Sequence, residues 1–261
     1  MDLEQLRQHW QQVGETLSLS EKVTPTSRDP FLGRLEEDFI LRYLRPDQNV
    51  LEVGCGDAAH TVGYARRVKS ICGLDVADSL VKLARERAAS AEVSNAEFLS
   101  ASVLEVDRVA AHRPVDCVIS QRCLINLPDW QHQQEAILKI HELLRPGGQF
   151  LMTEGFVEEL DNLNRVRQAV GLTEIKVVSY NRNLLHHELD PFIKEYFTVE
   201  AVHDYGLYLF MSRVYHPLVV APEQPKHDSR LNEVAGLLSS LVPAPDMKQF
   251  SYNLFYVLKK K

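Results

Sequence analysis

The sequence predicts a doubly wound α/β domain built on a seven-stranded, mostly parallel sheet. Three observations carry this reading. Short apolar runs alternate with amphipathic segments from Asn49 to Gly155, a glycine-rich turn joins the first run to a helix, and two further strand-like runs follow a less regular stretch. With 261 residues, 45% hydrophobic and 25% charged, the chain can bury one large core and is too apolar for disorder.

The elements follow in order. Leu3, Leu6, Trp10 and Val13 recur at helical spacing, predicting a first helix that Gly14 interrupts. Residues 18–28, with Pro25 and several hydroxyl side chains, read as a loose connection. Asp29 as N-cap and Pro30 at the first helical position launch a second helix over 31–43, which Arg45-Pro46-Asp47 ends. Strands are then expected at 49–53, 70–75, 96–100, 115–120 and 149–154, with helices near 58–68, 78–89 and 130–144 between them. Right-handed crossovers make this a consecutively wound sheet.

After Gly155 helices are expected at 159–170, 187–196, 207–219 and 231–241, and strands at 198–204 and 251–258. About 45 residues separate those last two strands, too many for a plain loop, so they predict a helical cap inserted at about 205–247. Residues 1–48 then form an N-terminal helical lid on a main domain of 49–261.

Composition narrows the function. Cys55, Cys72, Cys117 and Cys123 lack paired spacing and read as buried thiols. The polar first ten residues resemble no signal peptide, and no apolar run is long enough to span a bilayer, so a cytoplasmic location is expected. A formal net charge of −7 argues against a nucleic-acid surface. No set of histidines and carboxylates has ligand spacing, so no metal is expected. Oligomeric state is not encoded in any feature of the sequence.

The chemistry concentrates at strand ends. Val50-Leu51-Glu52-Val53-Gly54-Cys55-Gly56-Asp57-Ala58 is a strand running into a two-glycine turn, which lets a ligand approach main-chain N–H groups without a Cβ in the way. Asp75 closes the next strand 19 residues after Gly56, where a carboxylate can accept both hydroxyls of a ribose or, alternatively, cap the following helix. These features suit a nicotinamide dinucleotide or S-adenosylmethionine. Glu52, two residues before the first glycine, favours the latter, since a carboxylate there meets a cationic amino group and sulfonium better than a pyrophosphate.

From Asn49 to Gly155 the sequence resembles the class I S-adenosylmethionine-dependent methyltransferases, in their small-molecule, ubiquinone-biosynthesis-like branch. The resemblance adds Phe98-Leu99-Ser100-Ala101-Ser102-Val103, Asp116-Cys117-Val118-Ile119-Ser120-Gln121 and Leu144-Arg145-Pro146-Gly147-Gly148 to the motifs above. It implies a Rossmann-like fold with S-adenosylmethionine as cofactor. Gly54 and Gly56 would approach its methionine end, Asp75 its ribose, Val76 an adenine face, and Ser102 with Val103 the adenine edge. Asp57 and Gln121 complete the expected cofactor set with Glu52. The chain departs from the family's common pattern at Ala58, where a third glycine is frequent, at Ser102, where Asp is common, and at Asn126, where His often stands.

The expected reaction is methyl transfer to O, N or C of a small-molecule acceptor. A nicotinamide-dependent oxidoreductase and a non-catalytic cofactor-binding module are the alternatives. Glu154, at the tip of the fifth strand, and His60 are the catalytic candidates, with Tyr180, His186 and His187 as further possible bases. Arg122 reads either as a grip for an anionic acceptor group or as a salt-bridge partner. Asn126, Tyr180, Tyr208 and Arg213 complete the acceptor candidates, with the acceptor expected between the N-terminal helices and the cap.

Overall fold

Parallel strands covered on both faces must be apolar on both, and the central strands meet that demand: Val53, Cys117, Val118 and Ile119 have no exposed surface. The computed structural model describes residues 1–18, 28–107 and 115–261. Of the loose connection expected at 18–28, residues 19–27 lie outside the described residues. Strands β1 (Asn49–Val53), β2 (Ser70–Asp75) and β3 (Ala96–Ser100) take the bounds read from the sequence. They join β4 (Val115–Gln121), β5 (Leu144–Gly155), β6 (Phe197–Asp204) and β7 (Asn253–Lys260) in one sheet of order β3-β2-β1-β4-β5-β7-β6. β7 runs antiparallel to both β5 and β6, while β1 to β5 pair parallel with one another. The order reverses between β1 and β4, which places a crevice at their C-terminal ends.

Along the central strands, residues alternate between the two faces of the sheet. Leu51, Val53, Val118, Phe150 and Met152 pack with Ile137 and Ile140 of α5 (Trp130–Leu143) and Leu189 and Ile193 of α7 (His186–Tyr196). Val50, Cys117, Ile119 and Leu151 instead pack with α2 (Pro30–Leu41) and the segment between β6 and β7. Each large apolar side chain so buried contributes about 1.5–3 kcal/mol. The remaining helices of the first half are α1 (Leu3–Thr16), α3 (Thr61–Ala65), α4 (Asp78–Ser90) and, after β5, α6 (Val157–Ala169).

Several bounds differ from expectation for identifiable reasons. The helix expected at 58–68 shrinks to α3 because Ala58 sits at φ 60°, the left-handed region, and cannot belong to a right-handed helix. That conformation explains why glycine is frequent at this place. Helix α1 does not stop at Gly14 but runs to Thr16, started by an Asp2 and Gln5 capping box. The helix expected at 207–219 is α8 (Gly206–Phe210), a π turn (Met211–Tyr215) and α9 (His216–Val220) in succession, followed by α10 (Arg230–Leu241). Pro217 has no N–H to offer the Arg213 carbonyl, and Arg167 donates to that carbonyl instead. As expected, Asp29 caps α2 through the Leu32 N–H; Asp129 caps α5 in the same way through that of His132.

Candidate active site

The crevice at the C-terminal ends of β1, β2 and β4 is a cavity of about 660 Å³ roofed by Leu3, Leu6 and Trp10 of α1. Its floor is the glycine turn. Gly54 and Gly56 have φ of 72° and 55°, and a Cβ on Gly54 would stand 2.7 Å from that of Cys123. Only glycine allows this turn to pack against the loop that leaves β4.

Asp75 is 8% exposed and holds the turn in place, accepting from the Gly56 N–H at 2.9 Å and the Ala77 N–H at 3.0 Å. Each of its oxygens keeps lone-pair capacity for a second donor from the cavity. Burial, opposed by these backbone bonds, pushes its pKa up to about 6. The N-cap of α4 is Ala77, so the helix-capping alternative for Asp75 does not apply.

Glu52 is 3% exposed, and its Oε2 is buried without a hydrogen-bond partner. Desolvation pushes its pKa up to about 7, against the opposing pull of Thr61 and His60. A buried carboxylate oxygen that faces a cavity unpaired is a site for a cation.

The residues read as cofactor contacts, Glu52, Gly54, Gly56, Asp57, Asp75, Val76, Ser102, Val103 and Gln121, all line this cavity, as do His60, Arg122, Asn126 and Tyr180. Some of them are already engaged. Asp57 is ion-paired with Arg87 at 2.5 Å, and the Ser102 hydroxyl accepts from the Leu104 N–H in a short 3-10 turn. Gln121 donates to Glu36 at 2.8 Å and accepts from the Tyr64 hydroxyl at 3.0 Å. Arg122 lies 3.4 Å from the same fully buried Glu36, which supports the salt-bridge alternative while leaving its side chain on the cavity wall.

His60 presents an unpartnered, buried Nε2, and its Nδ1 lies 3.4 Å from Glu37 Oε2. Asn126 accepts from the Trp10 indole N–H at 2.7 Å and donates to Asn181 at 3.2 Å. Tyr180 stacks on His9 and meets Trp10 edge-on, so the mouth of the cavity is an aromatic cluster.

Three expected site residues stand elsewhere. Glu154 has no exposed surface and accepts from the Ser120 hydroxyl at 2.6 Å and from the N–H groups of Cys123, Leu124 and Ile125. It anchors the loop after β4 rather than touching the cavity, and burial pushes its pKa up to about 7. Tyr208 and Arg213 both bond to Asp29, at 2.6 and 2.5 Å. Burial works against the Asp29 charge, but His227, Arg213 and Tyr208 outweigh it and hold the carboxyl well below its usual range. This clasp fastens the start of α2 to the segment between β6 and β7. No residue of 205–247 lines the cavity, which contradicts an acceptor held against the cap.

Trp10 and Cys123, which line the cavity, and Glu36, which holds Arg122 and Gln121, are not among the site residues expected from the sequence. The one available signal was Gly14, whose Cβ would lie 2.8 Å from the Leu80 backbone N, the mark of a helix docked tightly on α4.

The sheet order and its flanking helices are those of the Rossmann-like class I methyltransferase fold. Residues 50–148 match the family described as "Methyltransferase domain". The demethylmenaquinone methyltransferase of Listeria monocytogenes serotype 4a (strain HCC23) is 26% identical over 117 residues, 44% of this chain and 47% of that protein. The chain thus matches about half the length of that relative. Among solved structures, magnesium protoporphyrin IX methyltransferase from Synechocystis PCC 6803 with bound SAH shares the fold at TM-score 0.65 and 12% identity over 100% of both chains. The N-methyltransferase NodS from Bradyrhizobium japonicum WM9, in complex with S-adenosyl-L-homocysteine, does so at 0.57 and 13% over 98% of both.

Proposed function

We propose that this chain is an enzyme that transfers the methyl group of S-adenosylmethionine to O, N or C of a small molecule. The unpartnered Glu52 oxygen carries the reading: it stands on the same cavity as the glycine turn and Asp75, and suits a cationic amino group. Glu52 would hold the amino end, Gly54 and Gly56 the approach of the methionine portion, Asp75 the ribose, and Val76, Ser102 and Val103 the adenine. The bound cofactor supplies an electrophilic methyl group on a sulfonium.

The chain's own residues then position and shield. A volume of about 660 Å³ sits within the range of about 300–1,000 Å³ usual for small-ligand pockets, and the α1 roof suits a small acceptor better than a polymer. Leu3, Leu6 and Trp10 exclude water from above. Arg122, Asn126 and Tyr180 form the wall on which the acceptor would rest. His60 Nε2 is the base we assign for an acceptor that must lose a proton, with Glu37 orienting the ring through Nδ1.

The division into a lid of 1–48 and a main domain of 49–261 with a cap at about 205–247 belongs to this proposal. So does a cytoplasmic location; no helix among the described residues is long and apolar enough to cross a membrane. The test incubates the full chain with methyl-labelled S-adenosylmethionine and a panel of small phenols, quinols, amines and carboxylic acids. Label transfer to an acceptor, lost in Glu52→Ala, is the expected result. Cofactor binding without transfer to any member would favour a binding module and overturn the proposal.

A further inference from the structure

On the far side of β5 from the glycine turn, Glu158 and Glu159 in the first turn of α6 meet His186, the first residue of α7. Their ligand-type atoms all lie within 4.8 Å of one another. His186 Nε2 is 2.9 Å from Glu159 Oε1, while its Nδ1 is 3.5 Å from Asp190 Oδ2 and 3.4 Å from the Tyr256 hydroxyl. Phe156 stacks on the ring at 4.7 Å and fixes its plane.

Two features of this cluster call for a cation. Glu159 is 9% exposed, and its Oε2, like Oε2 of Glu158, is buried with no hydrogen-bond partner. Among the described residues no lysine or arginine pairs with Glu158, Glu159 or Asp190, so three carboxylates surround a single imidazole. Burying the Glu159 carboxylate and the unpaired Oε2 of Glu158 side by side is costly unless a positive ion neutralises them.

We propose that Glu158, Glu159 and His186 bind one divalent transition-metal ion of the Zn2+ type. The imidazole nitrogen selects against Mg2+ and Ca2+, which prefer all-oxygen sites, and three protein ligands at a partly exposed position leave room for water. Asp190 and Tyr256 hold Nδ1, which leaves the Nε2 lone pair for the ion, the usual way a carboxylate orients a ligating histidine.

The ion's role is structural. None of its ligands lines the cavity, but the segment between α6 and α7 supplies Tyr180 and Asn181 to the cavity mouth. Backbone bonds already tie that segment to the end of β5, from Leu184 N–H to Gly155 and from Val157 N–H to Leu184, at 2.8 and 3.0 Å. The ion adds a second fastening at the same place. The spacing hid it, since Glu159 and His186 stand 27 residues apart. This proposal stands independently of the methyl-transfer reading.

The test dialyses the full chain against a chelator, titrates ZnCl2 or MgCl2 by calorimetry, and follows thermal unfolding with and without Zn2+. One Zn2+ per chain is expected, with Mg2+ at least a hundredfold weaker and a higher melting temperature only with Zn2+. Glu159→Gln, His186→Gln and the more exposed Glu158→Gln should each weaken Zn2+ at least tenfold, with circular dichroism confirming the fold. Absence of stoichiometric Zn2+ binding to the intact chain, or unchanged affinity in the folded variants, would overturn the proposal.

Discussion

Glu52 keeps a proton up to about pH 7 because its carboxylate is buried, and a cationic amino group beside it would drive that proton off. Cofactor binding should therefore release a proton below about pH 7, and affinity should rise as pH climbs through that value. The rise approaches tenfold per unit below pH 7 and levels off above it, before an α-amino group itself begins to lose charge near pH 8. Calorimetry across this range checks it, with Glu52→Gln flattening the dependence; a flat wild-type profile would count against the amino-group role. Arg213 makes the opposite kind of prediction. Its partner Asp29 is buried and charged, so Arg213→Ala should cost about 3 kcal/mol of stability in denaturant unfolding, while cofactor affinity stays within about twofold. A large affinity loss without destabilisation would restore it as an acceptor contact. In the sequence Tyr208 and Arg213 look like polar active-site groups; their partner Asp29 is 184 residues from Arg213, a distance over which no local pattern speaks.

At the level of elements, the strands were the most legible. β1 and β2 are largely buried, mostly apolar runs closed by turn residues, so their ends are written in composition. The helix after the glycine turn was not, because a left-handed Ala58 leaves no mark in a sequence. Nor was the docking of α1: its apolar positions show one buried face but not that this face roofs a cavity. Gly14 gives the test. An added Cβ would lie 2.3 Å from Ser79 Oγ and 2.8 Å from the Leu80 backbone N, and a backbone atom cannot swing aside. Gly14→Ala should therefore lift α1 off α4 and weaken cofactor binding about tenfold, near 1.4 kcal/mol, while the unfolding midpoint shifts by only a few degrees. Unaltered affinity in that variant would separate α1 from the site.

Across the whole molecule, the reversal of strand order between β1 and β4 positions everything else. It opens the crevice, and the glycine turn, Asp75 and the loop after β4 fall into it from separate stretches of chain. The residues expected to hold the cofactor all line that crevice, each near a strand end with its own local motif. The acceptor side was not legible in the sequence, because its walls come from α1, the loop after β4 and the segment before α7, which meet only in the folded chain. The central claim, one cavity shaped for S-adenosylmethionine, is tested most directly by calorimetric titration of the full chain and of Asp75→Ala. Two hydrogen bonds to a charged carboxylate are worth about 1.5–3 kcal/mol each, so the account predicts one cofactor per chain and affinity at least tenfold weaker in the variant. No binding by the intact chain, or equal binding by Asp75→Ala, would contradict it.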